Sequence, residues 1–220
     1  MKNYLTTGIL FIVFIVYTAA VKFVDVQPIG PLGSSVGFAK LNGAAAELFP
    51  YNATWYSITK YLGYAAILIC LFFGGIGFLE LVQRKSLRRV DTRILIQGGF
   101  YIVVICFYVL FEKLIINYRP VLEEGALEAS YPSSHTVLAV CVFLSTVLYY
   151  GIGLPLTDSR WNGIRHGQIR ILAAVMIVLT LVMVFGRLFS GVHWLTDIVG
   201  GVLLSAALLS GYIAVMRVWG

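Results

Sequence analysis

Apolar runs of about 20 residues recur along the chain, and they constrain its fold more than any other feature. Each run is long enough to cross the roughly 30 Å hydrocarbon core of a bilayer as a helix. Little chain is left for a separate soluble domain. The sequence therefore predicts one all-α integral membrane domain over residues 1–220, a bundle with six transmembrane helices at about residues 5–22, 61–82, 94–116, 134–154, 170–186 and 194–216.

The composition also indicates a membrane protein. Hydrophobic residues make up 60% of the chain and charged residues 12%, whereas a soluble domain has about 45–50% and about 25%. The first run is long for a signal peptide and lacks a small-residue cleavage site, so we expect a transmembrane helix there. Three cysteines without Cys-x-x-Cys spacing lie inside the runs and predict packing residues rather than a disulfide or zinc site: Cys70, Cys106 and Cys141.

The positions of the basic residues predict how the helices are oriented. The net charge is +6, but no basic run is interleaved with aromatic residues, so we expect no nucleic-acid partner. Cationic short loops mark the cytoplasmic side of a membrane, and two loops are strongly basic: Arg84, Lys85, Arg88, Arg89 and Arg93 in one, Arg160, Arg165 and Arg170 in or beside the other. Both termini are then cytoplasmic. The loops 23–58, with a short interfacial helix at 36–48, and 121–132 are external.

This orientation brings three polar clusters to the external ends of different spans: Arg119, Ser133–His135 and Arg187–Asp197. Each alone has a structural explanation, because arginines snorkel, Pro-Ser-Ser caps helices, and a His–Asp pair can be a buried structural hydrogen bond. Ionisable groups at the membrane are costly and indicate function, so together the clusters predict a site. The acids of the neighbouring loop are expected to be solvated: Glu123, Glu124 and Glu128.

Two of the three histidines are in these clusters. His193 and Asp197 are four residues apart, so on a helix they share one face. The carboxylate can then accept a hydrogen bond from one ring nitrogen and leave the other free as a nucleophile. His135, at a helix start, is the predicted acid–base residue. His166 lies in a cytoplasmic loop and is not a candidate.

The same clusters can bind an oxyanion. Arg119 and Arg187 suit bidentate contacts with a dianionic group, and Lys113 is a third candidate cation. The start of the fourth span adds free backbone N–H groups, together with the hydroxyls of Ser133 and Ser134. These groups predict phosphoryl transfer without a metal or a cofactor.

The clusters resemble the motifs of the type 2 phosphatidic acid phosphatase (PAP2) superfamily, which also includes the vanadium haloperoxidases. Pro132–His135 matches Pro-Ser-Gly-His, with Ser134 in place of glycine. Gly186–Asp197 matches Ser-Arg, five residues, His, three residues, Asp, with glycine in place of the leading serine. The resemblance covers about residues 60–216.

The first motif, a lysine followed by six residues and Arg-Pro, matches only in part. Arg119-Pro120 is present, but Lys113 has five residues before Arg119, and Glu112 occupies the expected position. On a continuous helix, a shift of one residue turns a side chain by about 100°. Lys113 reaches the phosphate if the helix ends early, and otherwise it has no such role.

The resemblance implies a six-helix bundle and metal-independent hydrolysis of a lipid phosphate or pyrophosphate at the external face of a bacterial plasma membrane. The implied substrates are undecaprenyl pyrophosphate, phosphatidylglycerophosphate or phosphatidate. The implied roles are His193 as the nucleophile that forms a phosphohistidine, Asp197 as its orienting group, His135 as general acid, and phosphate binding by Arg119, Arg187, Ser133, Ser134 and Lys113.

Other functions stay open at this stage. A non-catalytic lipid-phosphate binder or transporter could use the same scaffold, although binding alone does not need a histidine–carboxylate pair. An enzyme for soluble phosphoesters or a vanadate-dependent oxidase is disfavoured by a site at the membrane and by the lack of a soluble domain. The sequence does not indicate an oligomeric state.

Overall fold

Seven α-helices make up most of the described part of the chain. The structure is a computed structural model and describes residues 2–123, 125–152 and 166–220. No strand forms within these ranges, and every helix except α2 is long and apolar enough to cross a membrane. The predicted all-α fold with six transmembrane helices is confirmed. The helices are α1 Lys2–Phe23, α2 Ala39–Leu48, α3 Ala53–Arg84, α4 Thr92–Lys113, α5 Ser134–Ile152, α6 His166–Phe189 and α7 Leu195–Trp219.

Helices α5 and α7 form the centre of the bundle. In the most apolar window of each, 56% of the residues are buried, against 11% in α1 and in α3. Helix α7 packs against α1 and α5, and α5 also packs against α6 and α3. The outer helices expose large apolar side chains, for example Ile12, Leu68 and Ile171. An apolar surface of this extent is stable in contact with lipid rather than water.

Several helix boundaries differ from the predicted spans, because hydropathy alone does not determine where a helix begins or ends. Helix α3 begins at Ala53, about two turns before the predicted start, because the Asn52 side chain accepts hydrogen bonds from the N–H groups of Thr54 (3.0 Å) and Trp55 (3.1 Å). Its first turns are too polar to register as an apolar run. Helix α4 ends at Lys113, so the predicted residues 114–116 are not helical.

Successive spans alternate in direction, so the starts of α3, α5 and α7 meet the ends of α1, α4 and α6 at one end of the bundle. Backbone hydrogen bonds join them there, from Asn52 N–H to the Ser190 carbonyl (3.0 Å) and from Ser133 N–H to the Asp197 carbonyl (3.0 Å). We call this the polar end. The basic loop after α3 lies at the opposite end. The predicted second basic loop, with Arg160 and Arg165, lies outside the described residues apart from the start of α6, and Glu124 is also outside them.

The interior of the bundle also holds a polar group away from the polar end. The Gln97 side chain donates to the Tyr101 hydroxyl (2.7 Å) and to Ser145 Oγ (2.9 Å), and it accepts a hydrogen bond from Tyr212. Buried amides are tolerated when they are bonded in this way. Because this group has its partners, we interpret it as a structural connection between α4, α5 and α7.

Candidate active site

His193 and Asp197 lie where the chain enters α7. Gly191 adopts a left-handed conformation (φ 63°), Trp194 is the N-cap residue, and Asp197 accepts a hydrogen bond from Trp194 N–H (3.1 Å). His193 therefore precedes the helix rather than sharing a helical face with Asp197. The distance from His193 Nδ1 to Asp197 Oδ2 is 4.0 Å, too long for the direct hydrogen bond that the spacing predicts.

Ser130 bridges the two residues. Its Oγ lies 2.9 Å from His193 Nδ1 and donates to Asp197 Oδ2 at 2.5 Å. The other carboxylate oxygen, Oδ1, accepts from the Asn117 side chain at 3.2 Å. Sequence reasoning missed both Ser130 and Asn117. The only signal is their position, each two residues before a predicted motif.

His193 is set up as a neutral imidazole. Its side chain is only 1% exposed, and burial, with the positive charges of Arg187 and Arg119 adding to it, holds the pKa of His193 well below its usual value. Its Nε2 is buried and has no hydrogen-bond partner among the described residues. A neutral ring with a free Nε2 lone pair is the state that a nucleophile requires.

His135 is the second residue of α5 and packs against α3. A Cβ atom added at Gly63 would lie 3.0 Å from His135 Cδ2 and 3.4 Å from Nε2, so the glycine makes room for the ring. His135 also contributes to the electrostatic environment of His193. The structure thus brings both predicted catalytic histidines to the polar end.

Arg187, at the end of α6, is fully buried. Its Nη1 donates to Thr59 Oγ1 (3.2 Å), and its Cζ lies 5.8 Å from the centre of the Tyr56 ring. Within the described ranges, neither Nε nor Nη2 has a hydrogen-bond partner. A buried guanidinium with two unused donors is costly unless an anion binds to it, so this geometry favours an oxyanion site.

Arg119 is also nearly buried, and it contacts carboxylates. It forms ion pairs with Glu123 and with Glu128 (3.4 Å), and Tyr56 donates a hydrogen bond to Glu123. The prediction that these two glutamates are merely solvated is therefore wrong, because the loop folds back onto a buried cation. Glu123 also lies within the electrostatic influence of Arg187.

The two carboxylates differ in their pKa. Burial alone would raise the pKa of Glu123, but the hydrogen bond from Tyr56 and the charge of Arg119 hold it below its usual value. Burial raises the pKa of Glu128, and the charges of Glu123 and Glu112 add to the rise against the effect of Arg119. Glu123 is therefore the stronger partner of Arg119.

The remaining predicted residues have different positions. Ser133 is buried, and its Oγ accepts a hydrogen bond from Thr136 (3.0 Å). Ser134 is the first residue of α5. Lys113, in the last turn of α4, is exposed, and no contact in the described part of the chain links it to the arginines or histidines. Its contact with phosphate stays a prediction.

Helix α2 is hydrogen-bonded to the first turn of α7. The Asn42 side chain donates to Thr196 Oγ1 (2.9 Å) and accepts from Thr196 N–H (3.2 Å). The adjoining Gly37 N–H donates to Asn117 Oδ1 (3.3 Å), and Asn117 in turn holds Asp197. The segment between α1 and α3 thus supports the start of α7 through Asn42 and the Asp197 carboxylate through Asn117.

An open cleft of about 430 Å³ lies next to this cluster. Its walls are mainly aromatic and aliphatic, and two of its residues, Tyr56 and Glu123, also belong to the network around Arg119. The cleft therefore borders the network around Arg119. Its residues are Tyr51, Tyr56, Val121, Leu122, Glu123 and Val192.

Six apolar helices and a buried cluster of histidine, arginine and carboxylate at one end define a membrane-embedded phosphoryl-transfer scaffold. The profile of the PAP2 superfamily matches residues 106–219, and the chain belongs to that superfamily. This membership confirms the prediction of a PAP2-type integral membrane lipid phosphatase.

Comparison with solved structures shows the same fold. The chain is similar to a protein described as the first transmembrane PAP2 type phosphatidylglycerolphosphate phosphatase from Bacillus subtilis, with a TM-score of 0.61 and 17% sequence identity, over 96% of this chain and 94% of the other. No curated protein sequence matches the chain significantly.

Proposed function

We propose that this protein hydrolyses a membrane lipid phosphate or pyrophosphate through a phosphohistidine intermediate. The proposal rests on one observation. The free Nε2 of buried His193 lies in the same cluster as the unpartnered Nε and Nη2 of buried Arg187. A neutral imidazole nitrogen is a nucleophile, and a buried cation with unused donors stabilises the charge on a transferring phosphoryl group.

Binding uses the arginines first. The phosphoryl oxygens accept hydrogen bonds from Arg187 and from Arg119, whose Nε also lacks a partner among the described residues. The anion-binding site is completed by Ser133, Ser134 and the first N–H groups of α5. Glu123 holds Arg119 in the free protein, so the phosphate displaces that carboxylate.

The first chemical step forms the phosphohistidine. The Nε2 lone pair of His193 forms a bond to phosphorus, and the bond from phosphorus to the leaving oxygen breaks. The electron pair leaves with that oxygen, which takes a proton from His135. For a phosphate monoester the leaving group is the lipid alcohol, and for a pyrophosphate it is the lipid monophosphate.

The second step uses water. His135, now neutral, takes a proton from the water while the water oxygen bonds to phosphorus. The nitrogen–phosphorus bond breaks, its electron pair returns to Nε2 of His193, and inorganic phosphate leaves. The protein returns to its starting protonation state.

A lipid suits this site because the cluster lies at the end of membrane-spanning helices, beside the cleft bounded by Val121, Leu122 and Val192. Among the predicted substrates, phosphatidylglycerophosphate is the first to test, because the Bacillus subtilis protein of the same fold is described as its phosphatase. Undecaprenyl pyrophosphate and phosphatidate are the other two.

We place the polar end on the extracytoplasmic side of the plasma membrane, with both termini in the cytoplasm. The basic loop after α3, at the opposite end, supports this orientation. Labelling of single cysteines with a membrane-impermeant maleimide in whole cells tests it. In a variant that lacks the native cysteines, Ser35→Cys should react and Lys85→Cys should not, and the reverse result overturns the orientation.

Phosphate release by the purified protein in detergent tests the function. The three lipids are assayed with EDTA present, beside a His193→Ala variant that is shown to be folded by its melting temperature. We expect release that survives EDTA and is lost in the variant. Acid-labile phosphate on the wild-type protein after a rapid base quench indicates the phosphohistidine. A folded wild-type protein that binds these lipids without releasing phosphate is a binder or transporter, and this result overturns the proposal.

A further inference from the structure

The connection between His193 and Asp197 runs through a third side chain. The 4.0 Å between Nδ1 and Oδ2 rules out a direct hydrogen bond, whereas Ser130 Oγ is within bonding distance of both atoms. Ser130 lies outside the three sequence motifs that resemble those of the PAP2 superfamily. Its hydroxyl is nevertheless hydrogen-bonded to both side chains.

The number of available protons determines the direction of each bond. The Asp197 carboxylate accepts from three donors, which are Ser130 Oγ, Asn117 Nδ2 and Trp194 N–H. Three donors match an ionised carboxylate, which has no proton to give. Since Ser130 has one proton and donates it to Asp197, its Oγ must accept a hydrogen bond from Nδ1–H of His193. The ring is then protonated at Nδ1 and carries its lone pair at Nε2.

We propose that Ser130 is a positioning residue that couples Asp197 to His193 and selects the Nδ1–H tautomer. The hydroxyl holds the ring so that the free Nε2 faces the anion site. The effect of Ser130 on catalysis rests on the proposed phosphatase function, whereas its effect on the tautomer of His193 does not depend on that function.

The backbone fixes Ser130 on both sides. Its N–H donates to the Asn117 carbonyl at 2.9 Å, and Ser133 N–H donates to the Asp197 carbonyl at 3.0 Å. Between them the Tyr131 ring lies against α7, where a Cβ atom added at Gly200 would be 2.4 Å from Tyr131 Cε2. Ser130 is only 2% exposed. A side chain held in this way gives the ring one orientation at little entropic cost.

The bridge also acts during the reaction. When Nε2 bonds to phosphorus, positive charge develops on the imidazole ring. Nδ1–H then becomes a stronger donor to Ser130, whose own proton stays directed at the Asp197 carboxylate. No proton leaves either side chain in this step. The carboxylate stabilises the charge through the serine dipole rather than by direct contact.

The test compares Ser130→Ala with Ser130→Thr, which retains the hydroxyl, and with Ser205→Ala. Ser205 is a matched control because it is also buried, and its hydroxyl donates to the Gly201 carbonyl (2.7 Å) rather than to His193 or Asp197. We expect Ser130→Ala to lower kcat on the order of 10²-fold with little change in KM, a smaller loss than the roughly 10⁴-fold effect of a wrong tautomer in a serine protease. Ser130→Thr should recover most of kcat, and Ser205→Ala should match the wild type.

A spectroscopic readout separates the tautomer from activity. Protein labelled with ¹⁵N-histidine in detergent is measured by NMR, and His193 is assigned from the spectrum of His193→Ala. We expect Nδ1–H in the wild type and in Ser130→Thr, and Nε2–H or a mixture in Ser130→Ala.

Three results overturn the coupling: Nε2–H in the wild type, an unchanged tautomer and kcat in Ser130→Ala, or a loss in Ser130→Ala that Ser130→Thr does not restore and that raises KM. A wild-type protein that releases no phosphate, but whose His193 tautomer still changes in Ser130→Ala, overturns the proposed function and supports the coupling.

Discussion

The guanidinium of Arg119 is paired with the carboxylate of Glu123, four residues further along the chain. Tyr56 holds the same carboxylate from α3, and Arg187 lies within its electrostatic influence. Glu123 therefore occupies the region in which the proposed phosphate group binds. The free protein satisfies Arg119 with a carboxylate, and the substrate must compete with it.

The first prediction follows from this competition. Glu123→Gln removes the charge that competes with phosphate, so we expect KM for the lipid and the inhibition constant for inorganic phosphate to fall about two- to fivefold, the effect of an ion pair worth about 0.5–1 kcal/mol. Glu128→Gln is the matched control, because Glu128 is more exposed and pairs less closely with Arg119 (3.4 Å). It should change the inhibition constant less. Weaker phosphate inhibition in Glu123→Gln contradicts the prediction.

The second prediction concerns pH. The pKa of Glu123 is lowered, so its contribution to the folded loop is present at neutral pH and is lost as the pH falls through a value below the ordinary glutamate pKa of about 4.3. The pKa of Glu128 is raised, so Glu128 takes up its proton first and contributes no stability at neutral pH. Acidification should therefore leave the loop closed until Glu123 protonates.

Hydrogen–deuterium exchange measures this opening. We expect peptides that cover residues 118–130 to keep their protection from pH 7 to about pH 5 and to lose it below about pH 4.3, after correction for intrinsic exchange. In Glu123→Gln the same peptides should exchange faster than in the wild type above about pH 4.3, without the transition. Protection that is lost between pH 7 and pH 5 in the wild type would assign the contact to Glu128 instead.

The third prediction tests the packing of His135 on α3. A methyl group at Gly63 would lie 3.0 Å from His135 Cδ2, so Gly63→Ala must displace the ring by a few tenths of an ångström. We expect kcat to fall about 10- to 100-fold, because small misplacements of a catalytic group are costly. Gly74→Ala is the matched control in the same helix, since no atom lies within 4 Å of its added Cβ. Equal activity of the two variants would show that the ring moves without consequence.

The sequence predicted the number of membrane-spanning helices and the residues that meet at the polar end, because apolar length and motif spacing are local properties. It did not predict the partners of Asp197. Asn117 and Ser130 both reach it from the loop between α4 and α5, and only the fold brings that loop to the start of α7. The same reason applies to Glu123 and Glu128. Their charges predicted contact with solvent, but the fold places the buried Arg119 beside them.

The direction of the Lys113 side chain was also not predictable from the sequence. The prediction allowed Lys113 to reach phosphate if α4 ended early, and α4 does end at Lys113. The side chain is nevertheless exposed, and Glu112 acts electrostatically on Glu128 at the edge of the site. Motif spacing could not show this, because the direction of a side chain at a helix end depends on how the following residues leave the helix.

The last prediction concerns Arg187, whose planar group makes contacts that an ammonium cannot reproduce. One nitrogen bonds Thr59, the guanidinium lies over Tyr56, and two further nitrogens are free for an oxyanion. Arg187→Lys keeps the positive charge but loses the planar set of N–H donors. We therefore expect kcat/KM to fall about 10²- to 10³-fold, as when an oxyanion donor is removed. Arg84→Lys, at the opposite end of the bundle, should have no effect. The melting temperature of both variants distinguishes lost chemistry from lost folding, and a folded Arg187→Lys variant with wild-type kcat/KM would show that charge alone is sufficient.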